Sequence, residues 1–339
     1  MPTNPTSDQF AGCLLGLALG DALGAPVEAC PPAEARRYVA LLSEETAPER
    51  GREGHGFGQV TDDTQLAREL LLSIADEGLF DPSAFAGRLL EFVASGRLVG
   101  GGPATLAAAR QLAIGRPWHE AGMPAPYAGN GAAMRAGPLG LLYGRDPRRL
   151  IRAVVDQARV THQDSRSAAG AVGIAGAVAI ASRHDALDPV EFLGEIAEWM
   201  EPVDQGFAII VRGLAAWAHL PPDQAASELA GRGLEPEARE GWNGISSFVL
   251  SSVCWSLYAF LRAPERWWDA VRIAIEVGGD TDTIAAMTGA ISGARLGSGA
   301  LPAVLVGRIN DAGAWPAEDL AHLARRLHQL ATSPAQPAG

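Results

Sequence analysis

The sequence predicts an all-α protein, and three observations support this prediction. The long segments carry Ala, Leu, Ile and Arg at helical spacing, whereas the two-residue alternation that is typical of strands is scarce. Capping residues stand in front of several of these segments. Apolar residues make up 47% of the 339 residues and charged residues 19%, so the chain can bury a large core and wholesale disorder is excluded.

Helical spacing is clearest in five segments, at residues 66–75, 104–114, 146–160, 167–180 and 267–277. Caps are expected at Asp8 before the first helix, at Thr61, at Asp188–Pro189, and at Ala263–Pro264. No break in composition marks a second domain. We therefore expect one domain over residues 8–331, with flexible tails at residues 1–7 and 332–339.

Glycine recurs every fourth residue in the first predicted helix, at Gly12, Gly16, Gly20 and Gly24. Each glycine costs a helix roughly 1 kcal/mol relative to alanine, so a regular series needs a compensating reason. A stripe without side chains allows a second backbone to approach closely. The same reasoning applied to Gly170, Gly173 and Gly176 predicts a second close helix crossing.

Charge and cysteine content exclude some classes of function. The formal net charge of −12 argues against nucleic acid as the main partner, because phosphate binding needs clustered cations. The three cysteines have no metal-ligand spacing, and we expect buried, reduced thiols in a cytoplasmic protein. The apolar run at residues 10–19 is too short to span a bilayer, so no membrane role is indicated.

Two short acidic runs carry most of the chemical information, namely residues 61–64 (Thr-Asp-Asp-Thr) and residues 278–283 (Gly-Gly-Asp-Thr-Asp-Thr). Carboxylates this close repel one another unless a cation lies between them, and oxygen-only ligands suit magnesium, manganese or calcium. An acid at a helix N-terminus is also ordinary, since it complements the helix dipole. If the fold joins the two runs, their four carboxylates are enough for a two-metal site.

Five motifs together resemble the ADP-ribosylglycohydrolase family, the group that includes enzymes similar to the dinitrogenase reductase-activating glycohydrolase. They are residues 12–28, the run 61–64, Gly129-Asn130-Gly131-Ala132-Ala133-Met134-Arg135, Thr161-His162, and the run 278–283. They stand in the family's order over most of the chain. The resemblance implies a single-domain orthogonal bundle of helices that holds two divalent cations, Mg2+ or Mn2+.

The resemblance also implies roles for single residues. The metal ligands would be Thr61, Asp62, Asp63, Asp280, Asp282 and Thr283. Glu28 would activate or position the attacking water, so the implied catalytic residues are Glu28, Asp62 and Asp63. The ligand-binding residues would be Tyr127, Gly129, Asn130, Gly131 and His162. Free backbone N–H groups at Asn130 and Gly131 suit a diphosphate. Tyr127 stacks on the adenine, packs over the distal ribose or is an ordinary surface residue.

The implied function is metal-dependent hydrolysis that releases ADP-ribose from a modified protein or small molecule, by a chain that we expect to be monomeric. Arginine-linked ADP-ribose is the favoured substrate. The alternatives are another conjugate, linked through serine, nucleic acid or a small molecule, and an ADP-ribose-binding module without turnover. Family members that act on arginine commonly carry an aspartate where this chain has residues 99–103, Val-Gly-Gly-Gly-Pro. We therefore expect modest arginine activity, which Gly100→Asp would raise.

Overall fold

The computed structural model describes residues 4–52, 54–184, 186–231 and 243–333, and within these residues the chain forms helices and isolated bridges but no strand. The all-α prediction is confirmed. The α-helices are α1 Ser7–Gly24, α2 Pro32–Val39, α3 Asp62–Glu77, α4 Pro82–Ala94, α5 Pro103–Ala113, α6 Trp118–Ala121, α7 Gly137–Tyr143, α8 Pro147–Arg159, α9 Ser165–Ala181, α10 Pro189–Met200, α11 Gln205–Gly213, α12 Pro222–Gly231, α13 Val249–Arg262, α14 Trp267–Glu276, α15 Thr281–Leu296, α16 Ala303–Val306 and α17 Ala317–Thr332.

The five most clearly predicted helices are confirmed as α3, α5, α8, α9 and α14, and two of the predicted caps are wrong. Thr61 and Asp188 accept hydrogen bonds from the first turns of α3 and α10, as expected. The first helix is capped by Thr6 instead of Asp8, because Thr6 and Gln9 bond each other's backbone N–H groups in a capping box. Helix α14 begins after Arg266, beyond the expected Ala263–Pro264 cap.

The first helix begins at Ser7 and the last ends at Thr332, close to the limits of residues 8–331 that we expect for the domain. Residues 1–3 and 334–339 lie outside the described part, so the flexible tails stay a prediction. Helix α1, continued by the short 3₁₀ helix Ala25–Val27, is long and apolar enough to cross a membrane by length and composition. In this fold, 89% of its most apolar window is buried, as in the core helix of a globular domain.

Helices α1 and α15 lie antiparallel with their backbones in contact, and the glycine stripe is the reason. A Cβ atom added to Gly12 would lie 2.2 Å from the carbonyl oxygen of Gly293, and one added to Gly16 would lie 2.3 Å from that of Gly289. A Cβ at Gly20 would lie 2.2 Å from the carbonyl oxygen of Ala285. No side chain fits at such distances, so the predicted close approach is confirmed.

The second glycine series works differently from the prediction. In α9, Cβ atoms at Gly170, Gly173 and Gly176 would meet the side chains of Val249, Met200 and Trp199, and not a second backbone. These glycines make room for large apolar side chains.

The cysteine prediction also needs correction at one position, because Cys13 and Cys254 are buried free thiols whereas Cys30 is partly exposed.

Candidate active site

The C-terminal end of α1 and the N-terminal end of α15 meet because the two helices are antiparallel. Glu28 follows the 3₁₀ turn after α1, and Asp280 is the N-cap of α15. The hydroxyl of Thr281 donates to the carbonyl oxygen of Gly24 at 2.9 Å, which ties the two helix ends together. Residues at opposite ends of the sequence therefore face one another.

The loop before α15 depends on two glycines with positive φ. Gly278 and Gly279 have φ of 69° and 85°, in the region that favours glycine. The N–H of Gly279 donates to the carbonyl oxygen of Cys30 at 2.9 Å, and the N–H of Asp280 donates to that of Ile245 at 2.7 Å. A Cβ at Gly279 would lie 2.0 Å from the Ile245 carbonyl oxygen, so this tight crossing of three segments requires glycine.

Asp21 of α1 fixes the start of α3. Its fully buried carboxylate accepts hydrogen bonds from the backbone N–H of Thr61 at 2.9 Å, and from the N–H and hydroxyl of Thr64 at 3.2 and 2.6 Å. These bonds therefore fix the first acidic run against α1 at the level of Asp21. Sequence reasoning assigned no role to Asp21, although a lone acid within an apolar, glycine-rich helix is itself an unusual signal.

The two acidic runs come together around Asp282. Carboxylate oxygens of Asp21, Asp63 and Asp282 lie within 4.8 Å of one another, and so do those of Glu28, Asp280 and Asp282. The hydroxyl of Thr283 donates to Oδ2 of Asp63 at 3.2 Å, and Thr61 donates to the same oxygen at 3.1 Å. Asp282 belongs to both groups, so its carboxylate lies between two candidate cation positions.

Burial raises the pKa of every aspartate in the cluster, and repulsion by neighbouring carboxylates adds to the rise at all of them except Asp21. Burial, followed by the charge of Asp21, raises the pKa of Asp62 to about 7. The pKa of Asp21 and that of Asp280 are each raised to about 6, mainly by burial. Burial and the neighbouring carboxylates hold the pKa values of Asp63 and Asp282 well above their usual range. These groups cannot all stay ionised near neutral pH without added positive charge.

The donor set of the cluster fits hard divalent cations. Oδ1 of Asp63 is buried and has no hydrogen-bond partner among the described residues, although nearly all buried polar atoms have one. Its other oxygen, Oδ2, accepts hydrogen bonds from the hydroxyls of Thr61 and Thr283, so Oδ1 is the oxygen that is left for a cation. Carboxylate and hydroxyl oxygens without sulfur or imidazole are the ligands that magnesium, manganese and calcium prefer.

Every predicted site residue except Thr61 lines one cleft of about 240 Å³. Thr61 lies just behind it as the buried cap of α3. The structure therefore brings together the following residues: Glu28, Asp62, Asp63, Tyr127, Gly129, Asn130, Gly131, His162, Asp280, Asp282 and Thr283. The cleft also includes the loop that leads into α5, which the sequence placed near the leaving group, and Ser247, to which sequence reasoning gave no role.

The Gly129–Gly131 loop is held against the acidic cluster through Asn130. Nδ2 of Asn130 donates to Oδ2 of Asp280 at 2.6 Å, and its backbone N–H donates to the carbonyl oxygen of Ser247 at 3.0 Å. The expectation of a free N–H at Asn130 is therefore wrong. The N–H of Gly131 has no partner among the described residues, so one donor of the predicted pair remains available to a ligand.

His162 forms the wall of the cleft beside this loop and is neutral. Burial, reinforced by the nearby positive charge of Arg135, lowers the pKa of His162 to about 3. Nη2 of Arg135 donates to Oγ1 of Thr161 at 2.8 Å, and this oxygen lies 2.8 Å from Nδ1 of His162. Because arginine accepts no hydrogen bond, we assign the threonine hydrogen to Nδ1, which leaves Nε2–H as a donor. The Tyr127 ring lies 6.0 Å from the His162 ring, tilted by 32°.

A guanidinium group that the sequence did not identify occupies one side of the cluster. Nη1 of Arg52 lies 2.5 Å from Oε2 of Glu28 and 3.4 Å from Oδ2 of Asp282. Burial alone would lower the pKa of Arg52, but the attraction of Glu28 and Asp282 raises it, so the side chain stays charged. No pattern marks this residue, which stands in a glycine-rich loop between two helices.

The Gly100–Gly102 loop faces Arg52, where we had expected an incoming guanidinium. Gly100 has φ of 81°, and a Cβ there would lie 3.2 Å from three guanidinium atoms of Arg52. The loop is also tied to α3, because the N–H of Asp62 donates to the carbonyl oxygen of Val99 at 2.8 Å. An aspartate at position 100 would strain the backbone and pair with Arg52, so the expected gain from Gly100→Asp does not follow from this geometry.

The fold and the site define a class: an all-α protein with a cleft built on buried carboxylates. Comparison with known proteins identifies the family. The ADP-ribosylglycohydrolase family model matches residues 2–337, so the chain belongs to this family, and it is an enzyme, an ADP-ribosylglycohydrolase.

Relatives and a solved structure agree with this assignment. The ADP-ribosylhydrolase ARH3 of Bos taurus is 28% identical over 323 residues, which cover 87% of this chain and 86% of the relative. The ADP-ribosyl-[dinitrogen reductase] glycohydrolase of Rhodospirillum rubrum is 34% identical over 164 residues, covering 46% and 51%. A solved structure described as an ADP-ribosylglycohydrolase-related protein complex matches with a TM-score of 0.69 and 29% identity, over 96% of this chain and 99% of the other.

Proposed function

We propose that this enzyme is a metal-dependent hydrolase that releases ADP-ribose from an ADP-ribosylated protein or small molecule. The observation that carries the metal dependence is the pair of carboxylate groups that share Asp282. Thr61, Asp62, Asp63, Asp280, Asp282 and Thr283 are the proposed ligands of two divalent cations, Mg2+ or Mn2+. Asp21 is the third member of the first group, but its oxygens accept hydrogen bonds from the start of α3, so we propose that it positions this helix and adds negative charge, and is not a ligand.

Hydrolysis at the anomeric carbon of the proximal ribose passes through an oxocarbenium-like transition state. Bound divalent cations would orient the ribose hydroxyls and lower the pKa of a coordinated water. Glu28 lies at the edge of the cluster, partly exposed, where its carboxylate can accept a proton from the attacking water. Gly131 N–H and His162 Nε2–H are neutral donors on the opposite wall, suited to the diphosphate and its ribose.

Two linkages are candidates. Arginine-linked ADP-ribose is favoured by the family resemblance described above, and the Rhodospirillum rubrum relative is named for an ADP-ribosylated protein, dinitrogen reductase. The pairing of Arg52 with Glu28, a residue that lines the cleft, is the specific observation that favours an uncharged, oxygen-linked target instead. Cytoplasmic location and a monomeric state remain predictions from the sequence.

The test combines metal binding with product release. The protein would be incubated with manganese, magnesium or a chelator and with arginine-linked and serine-linked ADP-ribosyl peptides, and free ADP-ribose would be measured. Release that needs the cation, together with calorimetric manganese binding that Asp282→Asn abolishes, is the expected result.

The matched control is Asp319→Asn, because Asp319 is also an acid in the first turn of a helix but lies on the surface. This variant should bind manganese and release ADP-ribose as the wild type does. Full release in the presence of a chelator would refute the metal dependence, whereas no release from any conjugate would refute the hydrolase.

A further inference from the structure

Arg52 is the only cationic side chain among the described residues whose ion pairs reach the carboxylate cluster. Its Nη1 atom approaches Glu28 at 2.5 Å and Asp282 at 3.4 Å, and its side chain is 24% exposed. The guanidinium also lies beside Gly100, since a Cβ at that position would be 3.2 Å from Cζ, Nη1 and Nη2. The group therefore occupies the space between the carboxylates and the glycine loop.

This space adjoins the cleft, because Glu28, Asp282 and Gly100, which contact Arg52 or face it, all line the cleft. Glu28 is the residue proposed to act on the attacking water. On one side are the acids of α3 and α15, and on the other is a loop that offers only backbone at residues 100–102. A carboxylate on this loop would be needed to hold a guanidinium leaving group through paired hydrogen bonds. In this chain the loop faces the guanidinium of Arg52 instead.

We propose that Arg52 is a specificity-determining residue that disfavours positively charged leaving groups and favours an uncharged one, such as the hydroxyl of a modified serine. The proposal rests on the hydrolase function above and deepens it. The leaving group departs from the anomeric carbon, so it must lie close to the group that activates water. A leaving group in that region stands beside the Arg52 charge.

The charges of the cluster support this assignment. The cluster holds six carboxylates, those of Asp21, Glu28, Asp62, Asp63, Asp280 and Asp282. Two divalent cations and Arg52 together supply five positive charges, so the loaded site is close to neutral and has little attraction left for another cation. Repulsion between two guanidinium groups about 4 Å apart would weaken binding of the charged substrate by a few-fold if the site behaved like water, and by several hundredfold if it behaved like a protein surface.

Arg52 also suits the chemistry of an oxygen leaving group. The bond between the anomeric carbon and the leaving oxygen breaks with its electron pair going to that oxygen, and a new bond forms from the carbon to the water oxygen. The water proton passes to Glu28, and Glu28 returns it, directly or through solvent water, to the leaving oxygen, which departs as a neutral alcohol and leaves Glu28 ionised again. A nearby fixed positive charge stabilises the negative charge that develops on this oxygen. A guanidinium conjugate already carries its positive charge and gains nothing from Arg52.

Cation binding is compatible with the position of Arg52. A carboxylate has two oxygens, so Glu28 can hold Arg52 through Oε2 and leave Oε1 for another partner. The contact to Asp282 is longer and is the one that a cation would replace.

The experiment compares initial rates on two peptides of equal sequence context, one arginine-linked and one serine-linked, in manganese. We expect Arg52→Gln and Arg52→Ala to raise the ratio of arginine-linked to serine-linked kcat/KM roughly tenfold or more, mainly through a lower KM for the charged peptide. Arg52→Lys, which keeps the charge, should leave the ratio within a few-fold of wild type. Arg50→Gln, at an exposed position two residues away, is the control for a general change in this loop.

Manganese affinity and thermal stability of each variant separate a specificity role from a structural one. An unchanged ratio in Arg52→Gln and Arg52→Ala, with manganese binding intact, would overturn the proposal. So would an equal rise in Arg52→Lys or Arg50→Gln, because then charge at position 52 is not the cause. If the wild type released ADP-ribose from neither peptide, the hydrolase function would fail. The charge preference would then be decided by calorimetric affinities for the two intact peptides in wild type and Arg52→Gln.

Discussion

Asp62→Asn should stabilise the metal-free protein while it weakens metal binding. Asp62 is 9% exposed, and burial with the charge of Asp21 raises its pKa from 3.8 to about 7. One pKa unit corresponds to about 1.36 kcal/mol, so above neutral pH the ionised carboxylate costs the fold at most about 4 kcal/mol. The backbone hydrogen bond from Gly102 can go to the asparagine Oδ1. Allowing for relaxation of neighbouring acids, we expect a net gain of about 2 kcal/mol in the free energy of unfolding.

The sign of the pH dependence follows from the direction of the shift. The folded protein binds more protons than the unfolded chain between the ordinary pKa of 3.8 and the raised value of about 7. The penalty is therefore absent below this window and grows as the pH rises through it, so stability of the metal-free protein falls toward alkaline pH. Asp62→Asn should remove part of that fall. Manganese should oppose it in the wild type, because the cation stabilises the ionised carboxylates.

Urea unfolding in a chelator, at about pH 5 and about pH 8, measures these differences. We expect Asp62→Asn to exceed the wild type at the higher pH and to approach it at the lower. Asp319→Asn, an exposed acid in the first turn of α17, should instead lose a few tenths of a kcal/mol through the helix dipole at both. Calorimetry should show weaker manganese binding by Asp62→Asn only. A loss of stability in Asp62→Asn at the higher pH would refute the idea that the carboxylate cluster is strained.

Three further predictions concern catalysis, ligand binding and the helix pair. Glu28→Gln should keep the fold and lose a factor on the order of 10² to 10⁴ in turnover, measured as ADP-ribose release; a rate within a few-fold of wild type would make Glu28 an ordinary loop acid. ADP-ribose should raise the melting temperature only with divalent cation present, and an equal rise in a chelator would contradict this. Gly20→Val should prevent stable folding, since its Cβ would lie 2.2 Å from the Ala285 carbonyl oxygen. Gly87→Ala, with open space around the new Cβ, should instead raise the free energy of unfolding by about 0.5–1 kcal/mol. Thermal melting followed by circular dichroism tests both, and a Gly20→Val protein that melted like wild type would contradict the packing argument.

The sequence predicted that a backbone would approach the first helix, but it did not identify the partner. Glycine at every fourth residue is a local pattern, and its meaning follows from sterics alone. The partner helix α15 carries matching glycines at Gly289 and Gly293, which a search for a second stripe would have found. In α9 the same spacing accommodates side chains, because glycine periodicity shows that space is needed and not what fills it.

The acidic runs were recognised for a physical reason that does not depend on the fold, since clustered carboxylates need positive charge. Their meeting was not derivable from local pattern, because the hydroxyl of Thr283 bonds an oxygen of Asp63 that is 220 residues away. Asp21 and Arg52 were missed for the same reason. Each is a single polar residue whose importance comes only from what lies opposite, and no spacing rule reports that.

The helix pair explains how the protein tolerates so many carboxylates in one place. Contacts between the α1 and α15 backbones leave no space for adjustment, since the stripe ends at Gly24, where a Cβ would lie 2.3 Å from the Thr281 carbonyl oxygen. Repulsion between acids at the two helix ends would push these ends apart, but such a movement would open the tight contact along the whole pair and expose its apolar surface. Packing thus holds the carboxylates in position before any cation arrives. A cation at the proposed site would need little rearrangement and would relieve existing repulsion, and both effects favour tight binding by a preorganised site.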